Sequence, residues 1–374
     1  MKFKINSKML LGLVSGANKA INAKAPNPIL ENCLLRWDNG VLTVTGSDAN
    51  TVVTMRSKIE SSDMAGEICV NAKRLADLLK AMPSCSVTLE CGEKSVSLRS
   101  ETGKYNLATV DKTQYTLPEL STDNAEVTFK LSASCLEAGM DNVGFASSKE
   151  SLRPILQGIL FDVCEDAIVF VATDTHILAK LRDTSANPGC VCSFVLPEKS
   201  ASILQAILPP NGEITITKYH NCVVFDCEDF RFQSTLIKGN FPAYDRVIPR
   251  DFETRIVVDN NGFISALNCV SVCASRQTPM ISIKPSDNVL EIATKDNDYQ
   301  NDALESTGAE ITGNQFEICF HATFLKDIMT AIKSEKVVMK LKSSSTPGLF
   351  LPYINREGCE LTVLCMPMAS WSSD

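Results

Sequence analysis

A repeat of domain length is the feature that most constrains the fold of this chain. Three similar stretches carry prolines that are 126 and 125 residues apart: Asn27-Pro28-Ile29-Leu30, Arg153-Pro154-Ile155-Leu156 and Gln277-Thr278-Pro279-Met280. The polar start of an amphipathic segment recurs at Asn71, Pro197 and His321, 126 and 124 residues apart. Because two markers keep one interval, the sequence predicts one domain design used three times in 374 residues. Function is then expected from the arrangement of the copies.

Each copy has the pattern of two helices and several strands. The first helix is predicted to be capped by Ser7, by Ser132, and by Asn260 or Asn261 in the three copies. The proline motif is expected to end that helix and to start an extended segment. Clustered strands with alternating apolar residues then flank the second helix. This order predicts an α+β fold with mainly antiparallel sheet, in domains spanning residues 1–124, 125–252 and 253–374.

Composition and charge limit the classes of function. With 44% hydrophobic and 21% charged residues, the chain has an ordinary globular composition. It shows neither a signal peptide nor an apolar run of about 20 residues, so we expect a cytoplasmic protein without membrane contact. The net charge of −8 argues against binding nucleic acid by bulk electrostatics. Any contact with DNA is therefore expected to be local or topological.

Cysteine is abundant, with fifteen residues in all three copies. Most stand in apolar contexts, such as Cys69, Cys135, Cys269 and Cys319, which favours reduced thiols in the core. A metal site at Cys190-Val191-Cys192 or at Cys222 and Cys227 is the alternative. These residues lack CxxC and zinc-finger histidine spacing, so the sequence predicts no metal and no cofactor.

Few residues are candidates for catalysis. The run from Asp296 to Asn301 suggests a calcium loop, but its sixth position is not the required glycine, and a solvated turn is the simpler interpretation. Asp174 and His176 could form an acid–base pair, although the sequence has no GxSxG nucleophile motif. A polar turn between two strands is favoured there. A hydrolase that uses Asp174 and His176 stays open as an alternative.

Basic residues recur on or beside the predicted helices of each copy, for example Lys73, Lys149 and Lys326. Exposed helix faces often carry lysine, and this is the simpler interpretation of each residue alone. Combined with the threefold repeat, the pattern predicts a positive lining inside an acidic particle. A repeat scaffold that never contacts DNA is the further alternative.

Several motifs resemble those of the bacterial sliding clamp, the beta subunit of DNA polymerase III, and the resemblance covers the whole chain. Its residues are Met1-Lys2-Phe3, Pro28-Ile29-Leu30-Glu31-Asn32, Gly46-Ser47-Asp48, Leu156-Gln157-Gly158-Ile159-Leu160-Phe161, Val171-Ala172-Thr173-Asp174-Thr175-His176, Gly239-Asn240-Phe241-Pro242-Ala243-Tyr244-Asp245-Arg246-Val247-Ile248-Pro249 and Met366-Pro367-Met368. The last two motifs, in this order and with three repeats, are highly specific.

The resemblance implies a head-to-tail homodimer whose six domains close a ring, with helices lining the hole. Such a ring holds double-stranded DNA by topology, without sequence preference, so weak phosphate contacts suffice. The DNA-facing residues implied are Lys24, Lys73, Arg74, Lys149, Arg153, Lys199 and Arg276. The implied dimer interface joins Lys104, Tyr105, Asn106 and Leu107 to Val272 and Cys273 of the other subunit. An internal strand at residues 104–107 is the simpler alternative.

The resemblance also implies a peptide-binding groove between the second and third domains. Its residues would be Leu156, Thr173, Thr175, His176, Leu178, Pro242, Arg246, Val247, Thr346, Gly348, Met366, Pro367 and Met368. Apolar side chains and adaptable methionines suit the leucine and aromatic anchors of a partner peptide. Without the resemblance, ordinary core between domains is the alternative interpretation of these residues.

The implied function is that of a DNA polymerase processivity factor, an accessory subunit and not an enzyme. The implied partners are the DNA polymerase III alpha subunit, the clamp loader, and other polymerases and mismatch-repair proteins with QLxLF-type peptides. Two departures stand out. Many members have Asp-Gly-His-Arg-Leu where this chain has Asp174-Thr175-His176-Ile177-Leu178, and many end soon after Met-Pro-Met, whereas Ala369-Ser370-Trp371-Ser372-Ser373-Asp374 follows here.

Overall fold

The structure is a computed structural model, and it describes residues 1–21, 28–92, 94–118, 120, 122–296 and 298–369. The chain forms two compact units. Unit 1 comprises Met1–Ser134 and Lys199–Leu236, and unit 2 comprises Cys135–Glu198 and the described residues from Ile237 onward. The central copy of the repeat therefore contributes strands to both units.

Six α-helices lie in the described residues, two in each copy, as the sequence predicts. They are α1 (Ser7–Asn18), α2 (Ala72–Ala81), α3 (Ala133–Val143), α4 (Glu198–Gln205), α5 (Asn260–Ser271) and α6 (Ala322–Ala331). Each buries one apolar stripe, because residues three and four apart share a helix face. In α2, for example, Leu75 and Leu79 are buried while Lys73 and Arg74 are exposed.

The strands of the first copy and the first strand of the second are β1 (Lys2–Asn6), β2 (Asn32–Asp38), β3 (Val41–Ser47), β4 (Thr51–Lys58), β5 (Ser61–Ser62), β6 (Gly66–Asn71), β7 (Ser86–Cys91), β8 (Ser95–Arg99), β9 (Lys104–Val110) and β10 (Val127–Ser132). The rest of the second copy has β11 (Gly158–Val163), β12 (Ile168–Thr173), β13 (Ile177–Asp183), β14 (Cys192–Pro197), β15 (Glu213–Lys218), β16 (Cys222–Asp226) and β17 (Phe230–Thr235). The third copy has β18 (Thr254–Asp259), β19 (Met280–Ser286), β20 (Val289–Asp296), β21 (Asn301–Gly313), β22 (Ile318–His321), β23 (Lys336–Leu341), β24 (Gly348–Pro352) and β25 (Cys359–Cys365).

Each unit contains one long antiparallel sheet. In unit 1 the order is β10-β15-β16-β17-β4-β3-β2-β6-β9-β8-β7-β1-β5, and in unit 2 it is β14-β11-β12-β13-β25-β24-β23-β18-β21-β20-β19-β22. These sheets confirm the predicted α+β class. Copies are joined by edge strands: β4 pairs with β17, opposing Met55 to Phe230, and β13 pairs with β25, opposing Ile177 to Cys365.

The two junctions use equivalent strands of the repeat. β4 and β13 are each the third strand of the sheet segment before the copy's second helix, and β17 and β25 are each the last strand of a copy. By the same count, β21 is the third-copy equivalent of β4, and β9 is the first-copy equivalent of β17. Among the described residues, Lys104–Leu107 of β9 pair only with β8, and Asn301–Gly308 of β21 pair only with β20. Each of these two segments leaves one strand edge open.

Several local predictions are corrected. Asn6 and not Ser7 caps α1, because its side chain accepts the backbone N–H of Lys8 at 2.9 Å. Asp259 and not Asn260 or Asn261 caps α5, accepting the N–H of Gly262 at 2.7 Å. The proline motif forms 3-10 turns at Pro28–Glu31 and Pro154–Leu156 where an extended chain was expected. The fixed φ of proline suits the first position of such a turn.

The cysteine prediction holds for most of its examples. Cys69, Cys135 and Cys319 are buried, and burial raises the pKa of Cys69 to about 12, so that this thiol stays protonated. Cys269 is an exception, since it lies on the exposed face of α5. Within the described residues, no helix is both long and apolar enough to span a membrane.

Candidate functional site

The turn between β12 and β13 is held by its own side chains. Asp174 Oδ1 accepts the backbone N–H groups of His176 at 2.8 Å and of Ile177 at 2.7 Å. Thr173 Oγ1 donates to the carbonyl of Ile177 at 2.7 Å and accepts the N–H of Thr175 at 3.1 Å. Asp174 therefore fixes the backbone of the turn, and its carboxylate does not orient the His176 imidazole as an acid–base pair requires. The hydrolase alternative is not favoured.

Thr175 carries the strain of this turn. Its φ is +85°, in the region where glycine is favoured and a β-branched side chain is an outlier. The sequence departure from Asp-Gly-His thus falls at the one position of the turn that calls for glycine. The hydrogen bond to Thr173 compensates part of the cost.

His176 packs against the start of α6. Its ring centroid lies 5.7 Å from that of Phe324, with the planes 21° apart, and the His321 ring lies 4.6 Å from the same phenyl ring. The sequence motifs do not predict Phe324 or His321 as groove residues. The only available signal was the position of His321 at a predicted helix start, because the contact joins residues far apart in the chain.

The segment after β25 runs beside this aromatic group. The N–H of Met366 donates to the carbonyl of His176 at 2.8 Å, and the N–H of Met368 donates to the carbonyl of Cys319 at 2.8 Å. Met366 keeps 41% of its surface exposed. A β-carbon on Gly348 would stand 2.9 Å from the Phe320 ring, so this glycine permits close packing below the segment. The Met-Pro-Met motif is thereby fixed between the β12–β13 turn and β22.

An apolar cluster lies on one face of the neighbouring sheet. Its buried members include Leu160, Val171, Leu178, Leu349 and Leu364, and the half-buried residues packed on them are Ile155, Ile237, Phe241, Tyr244, Ile248 and Phe252. Leu156 and Leu178 are buried, so they can only support the walls of a groove. The exposed members of the predicted groove are Thr175, His176, Pro242, Arg246, Val247 and Met366.

The loop from Gly239 to Arg246 borders a cleft of about 570 Å³, and Pro242 and Arg246 both line it. Tyr244 anchors the loop, since its hydroxyl donates to Asp162 at 2.7 Å. Burial, followed by this hydrogen bond, raises the pKa of Tyr244 above its usual value. Lys180 pairs with Asp245 at 2.5 Å and lies 5.2 Å from the Tyr244 ring centre. The loop is thus tied to the strands under it.

The predicted DNA-facing residues have different surroundings. Lys73, Arg74, Lys149, Arg153 and Arg276 are exposed. Lys199 is also exposed, but its ammonium group pairs with Asp48 at 2.6 Å. Lys24 lies outside the described residues, as does Trp371 of the terminal segment.

The predicted dimer residues stand at open surfaces. Lys104, Tyr105 and Asn106 are exposed on β9, beside its open edge, and Leu107 is half-buried. Val272, just after α5, is 84% exposed, and Cys273 is half-buried. In the described part of the chain, no group of three or more His, Cys, Asp or Glu side chains has a metal-binding arrangement.

Comparison with known proteins gives matches along the whole chain. Models of the DNA polymerase III beta subunit match residues 1–120 (N-terminal domain), 130–243 (central domain) and 245–369 (C-terminal domain). A beta sliding clamp of Synechococcus elongatus is 28% identical over 380 residues, which cover 98% of this chain and 99% of that protein. A beta sliding clamp of Staphylococcus aureus is 25% identical over 386 residues, covering 99% of this chain and 100% of that protein.

Solved structures of sliding clamps have the same fold as this chain. The sliding clamp of Pseudomonas aeruginosa bound to griselimycin superposes with a TM-score of 0.93 at 25% identity, covering 99% of this chain and 100% of that one. The repeated α+β fold and these matches define a DNA clamp, a processivity factor that assists a polymerase and is not itself an enzyme. The chain belongs to the DNA polymerase III beta subunit family, the bacterial sliding clamps.

Proposed function

We propose that two copies of this chain close head to tail into a ring around double-stranded DNA, and that each copy binds partner peptides in one groove. The proposed domains span residues 1–124, 125–252 and 253–374, and the proposed location is the cytoplasm. The proposed partners are the DNA polymerase III alpha subunit, the clamp loader, and other polymerases and mismatch-repair proteins with QLxLF-type peptides.

The repeated strand junction supports the ring. Inside the chain, β4 pairs with β17 and β13 pairs with β25, each satisfying two strand edges. The equivalent strands left over are β21 of the third copy and β9 of the first. An exposed strand edge promotes association with another chain, and a head-to-tail pair of subunits would satisfy both open edges twice. The same junction used six times makes a closed ring.

A closed ring accounts for DNA binding by an acidic protein. The net charge is −8, yet exposed cations stand on α2, at Lys73 and Arg74, and in the segment that follows α3, at Lys149 and Arg153. A ring held on DNA by topology needs only weak, sequence-independent phosphate contacts. Tight electrostatic binding would impede sliding.

The observation that carries the peptide groove is the meeting of three separate segments in unit 2. His176 of the β12–β13 turn contacts Phe324 of α6, and its carbonyl accepts the N–H of Met366. The three side chains combine apolar surface with a polar ring, which suits a short peptide with leucine and aromatic anchors.

Retention on circular DNA tests the ring. Protein loaded onto nicked circular DNA is expected to stay bound through gel filtration at high salt and to be lost once the circle is linearised. Equal retention on both forms would contradict topological binding. Absence of retention on either form would favour the alternative of a repeat scaffold that never contacts DNA.

A double substitution tests the groove. We expect His176→Ala with Met366→Ala to weaken binding of a fluorescent QLxLF-type peptide about tenfold or more, because two anchor contacts are lost. Subunit mass should not change. Val191→Ala is the matched control, since Val191 is 72% exposed and lies outside the groove. Unaltered peptide affinity in the double variant would refute the assignment.

A further inference from the structure

Two imidazole rings pack on one phenyl ring beside the Met-Pro-Met segment, and we call this group the ring stack. His176 and His321 both pack on the Phe324 ring, with centroid distances of 5.7 and 4.6 Å. His176 is exposed, whereas Phe324 and His321 are half-buried. Through the hydrogen bond from Met366 to His176, this ring stack is continuous with the proposed peptide groove.

We propose that the ring stack makes peptide binding pH-dependent, so that affinity for an uncharged peptide falls as the solution becomes acidic. This inference rests on the proposed function of the groove. It assigns to His321 a role in the control of peptide binding, through the Phe324 ring on which His176 also packs.

The surroundings of His321 oppose its protonation. Its Nδ1 is buried and has no hydrogen-bond partner in the described part of the chain, and its side chain does not cap α6. His321 stands at the N-terminus of this ten-residue helix, where the helix dipole disfavours a cation. Burial, and then the nearby His176, hold the pKa of His321 below its usual value. The imidazole is therefore neutral at pH 7.5.

The charged neighbours do not reverse this preference. From α6, Asp327 favours the His321 cation, but burial raises the pKa of Asp327 itself, against the effects of Lys149, Lys326 and His321. The β12–β13 turn contributes His176, which opposes the His321 cation, and Asp174, whose carboxylate accepts backbone N–H groups of the turn. The other packed elements contribute uncharged residues: Met280 of β19 pairs with His321, and Met366 and Met368 follow β25.

Peptide binding would add to the same effect. A peptide lying over the stack removes further water from the His321 imidazole, and loss of water disfavours the charged form. Binding therefore lowers the pKa of His321 further and releases its proton where that ring is charged. By linkage, affinity is complete at pH values where His321 is neutral and is lost as the pH falls through the titration range of that ring.

Binding of a peptide without titratable groups provides the test. The probe is N-acetylated, C-amidated Gln-Leu-Ser-Leu-Phe carrying a pH-insensitive dye, with fluorescence anisotropy measured from pH 5.5 to 7.5. We expect the Kd of the unchanged chain to rise at least about fivefold from pH 7.5 to 5.5, which is less than the tenfold that one unit of pKa shift provides. In His321→Asn the rise should be smaller, and in the His176→Asn, His321→Asn double variant, which has neither imidazole of the stack, it should be under about twofold.

His220 provides a matched control. It is the third histidine of the chain, it lies in unit 1, and it is exposed. His220→Asn should keep the full pH dependence. With only three histidines, the same variants assign the imidazole NMR signals, so titration of His321 and its shift on peptide addition can be followed even if one variant binds poorly.

The outcomes separate the two proposals. No peptide binding at pH 7.5 by the unchanged chain would refute the groove itself. Binding that varies less than twofold over the pH range, or full pH dependence in the His176→Asn, His321→Asn double variant, would overturn the ring stack as its cause while leaving the groove intact. Imidazole signals that do not shift on peptide addition would also contradict it.

Discussion

At the scale of single residues, the site depends on positions whose backbone geometry the side chain must tolerate. Gly348 leaves room for the Phe320 ring, and Thr175 adopts a φ of +85°. Glycine at position 348 suits the close contact, whereas threonine at position 175 is strained by its positive φ. The sequence identifies Thr175 as unusual only through comparison with Asp-Gly-His; the positive φ gives the physical reason.

We predict that Thr175→Gly stabilises the chain by about 1 kcal/mol, because relief of backbone strain exceeds the added flexibility of the unfolded chain. The hydrogen bond to Thr173 is kept, since its donor is the backbone N–H of residue 175. The measurement is the urea unfolding midpoint. Thr175→Ala is the control: it keeps the β-carbon and should gain less. A lower midpoint for the glycine variant would show that the turn is not strained.

At the scale of elements, the sequence predicts helices better than their ends. The six helices of the described residues lie where the apolar periodicity predicts them, because that periodicity involves only residues three and four positions apart. The caps of α1 and α5 lie one or two residues before the predicted ones. Asn6, Ser7, Asp259, Asn260 and Asn261 all suit a cap, and the turn that the folded backbone makes selects among them.

Removing the α5 cap should therefore cost stability at one position only. We expect Asp259→Ala to lower the free energy of unfolding by about 1 kcal/mol, because the N–H of Gly262 loses its acceptor. Asn261→Ala, two residues later and exposed, should change it by less than about 0.5 kcal/mol. Thermal unfolding and amide hydrogen exchange at the start of α5 measure both. Equal losses of stability in the two variants would show that Asp259 is not the cap of α5.

At the scale of the whole molecule, the repeat leaves open strand edges on β9 and β21, which the proposed ring would pair between chains. Leu304 of β21 is 64% exposed on the segment whose edge is open. A lysine there would place charge in the proposed subunit interface, which is costly without a partner.

We predict that Leu304→Lys shifts the protein from dimer to monomer at micromolar concentration, as measured by light scattering after gel filtration. Leu152→Lys is the matched control, because Leu152 is 87% exposed but stands in the loop before Pro154, away from any strand edge. The control should remain a dimer. Dissociation of both variants, or of neither, would contradict the proposed junction.

The candidate site was partly accessible from the sequence. Its motifs predict His176, Arg246 and Met366, and the structure places these residues on exposed surface of unit 2. The sequence does not predict Phe324 and His321 as site residues, because no motif near them indicates a binding role. Only folding brings them to within ring contact of a residue almost 150 positions earlier, about one domain length away.

The sequence by itself determined the threefold repeat, the α+β class and the family, because periodicity and motifs are properties of neighbouring residues. The tertiary structure alone decided which strands join one copy to the next, which side chains cap α1 and α5, and that Asp174 holds a backbone turn while His176 stacks on Phe324. Strand pairing between copies and the stacking of His176 on Phe324 depend on contacts between distant segments. The caps and the Asp174 turn are local, but several neighbouring polar side chains suit each position, and the backbone path of the folded chain selects one of them.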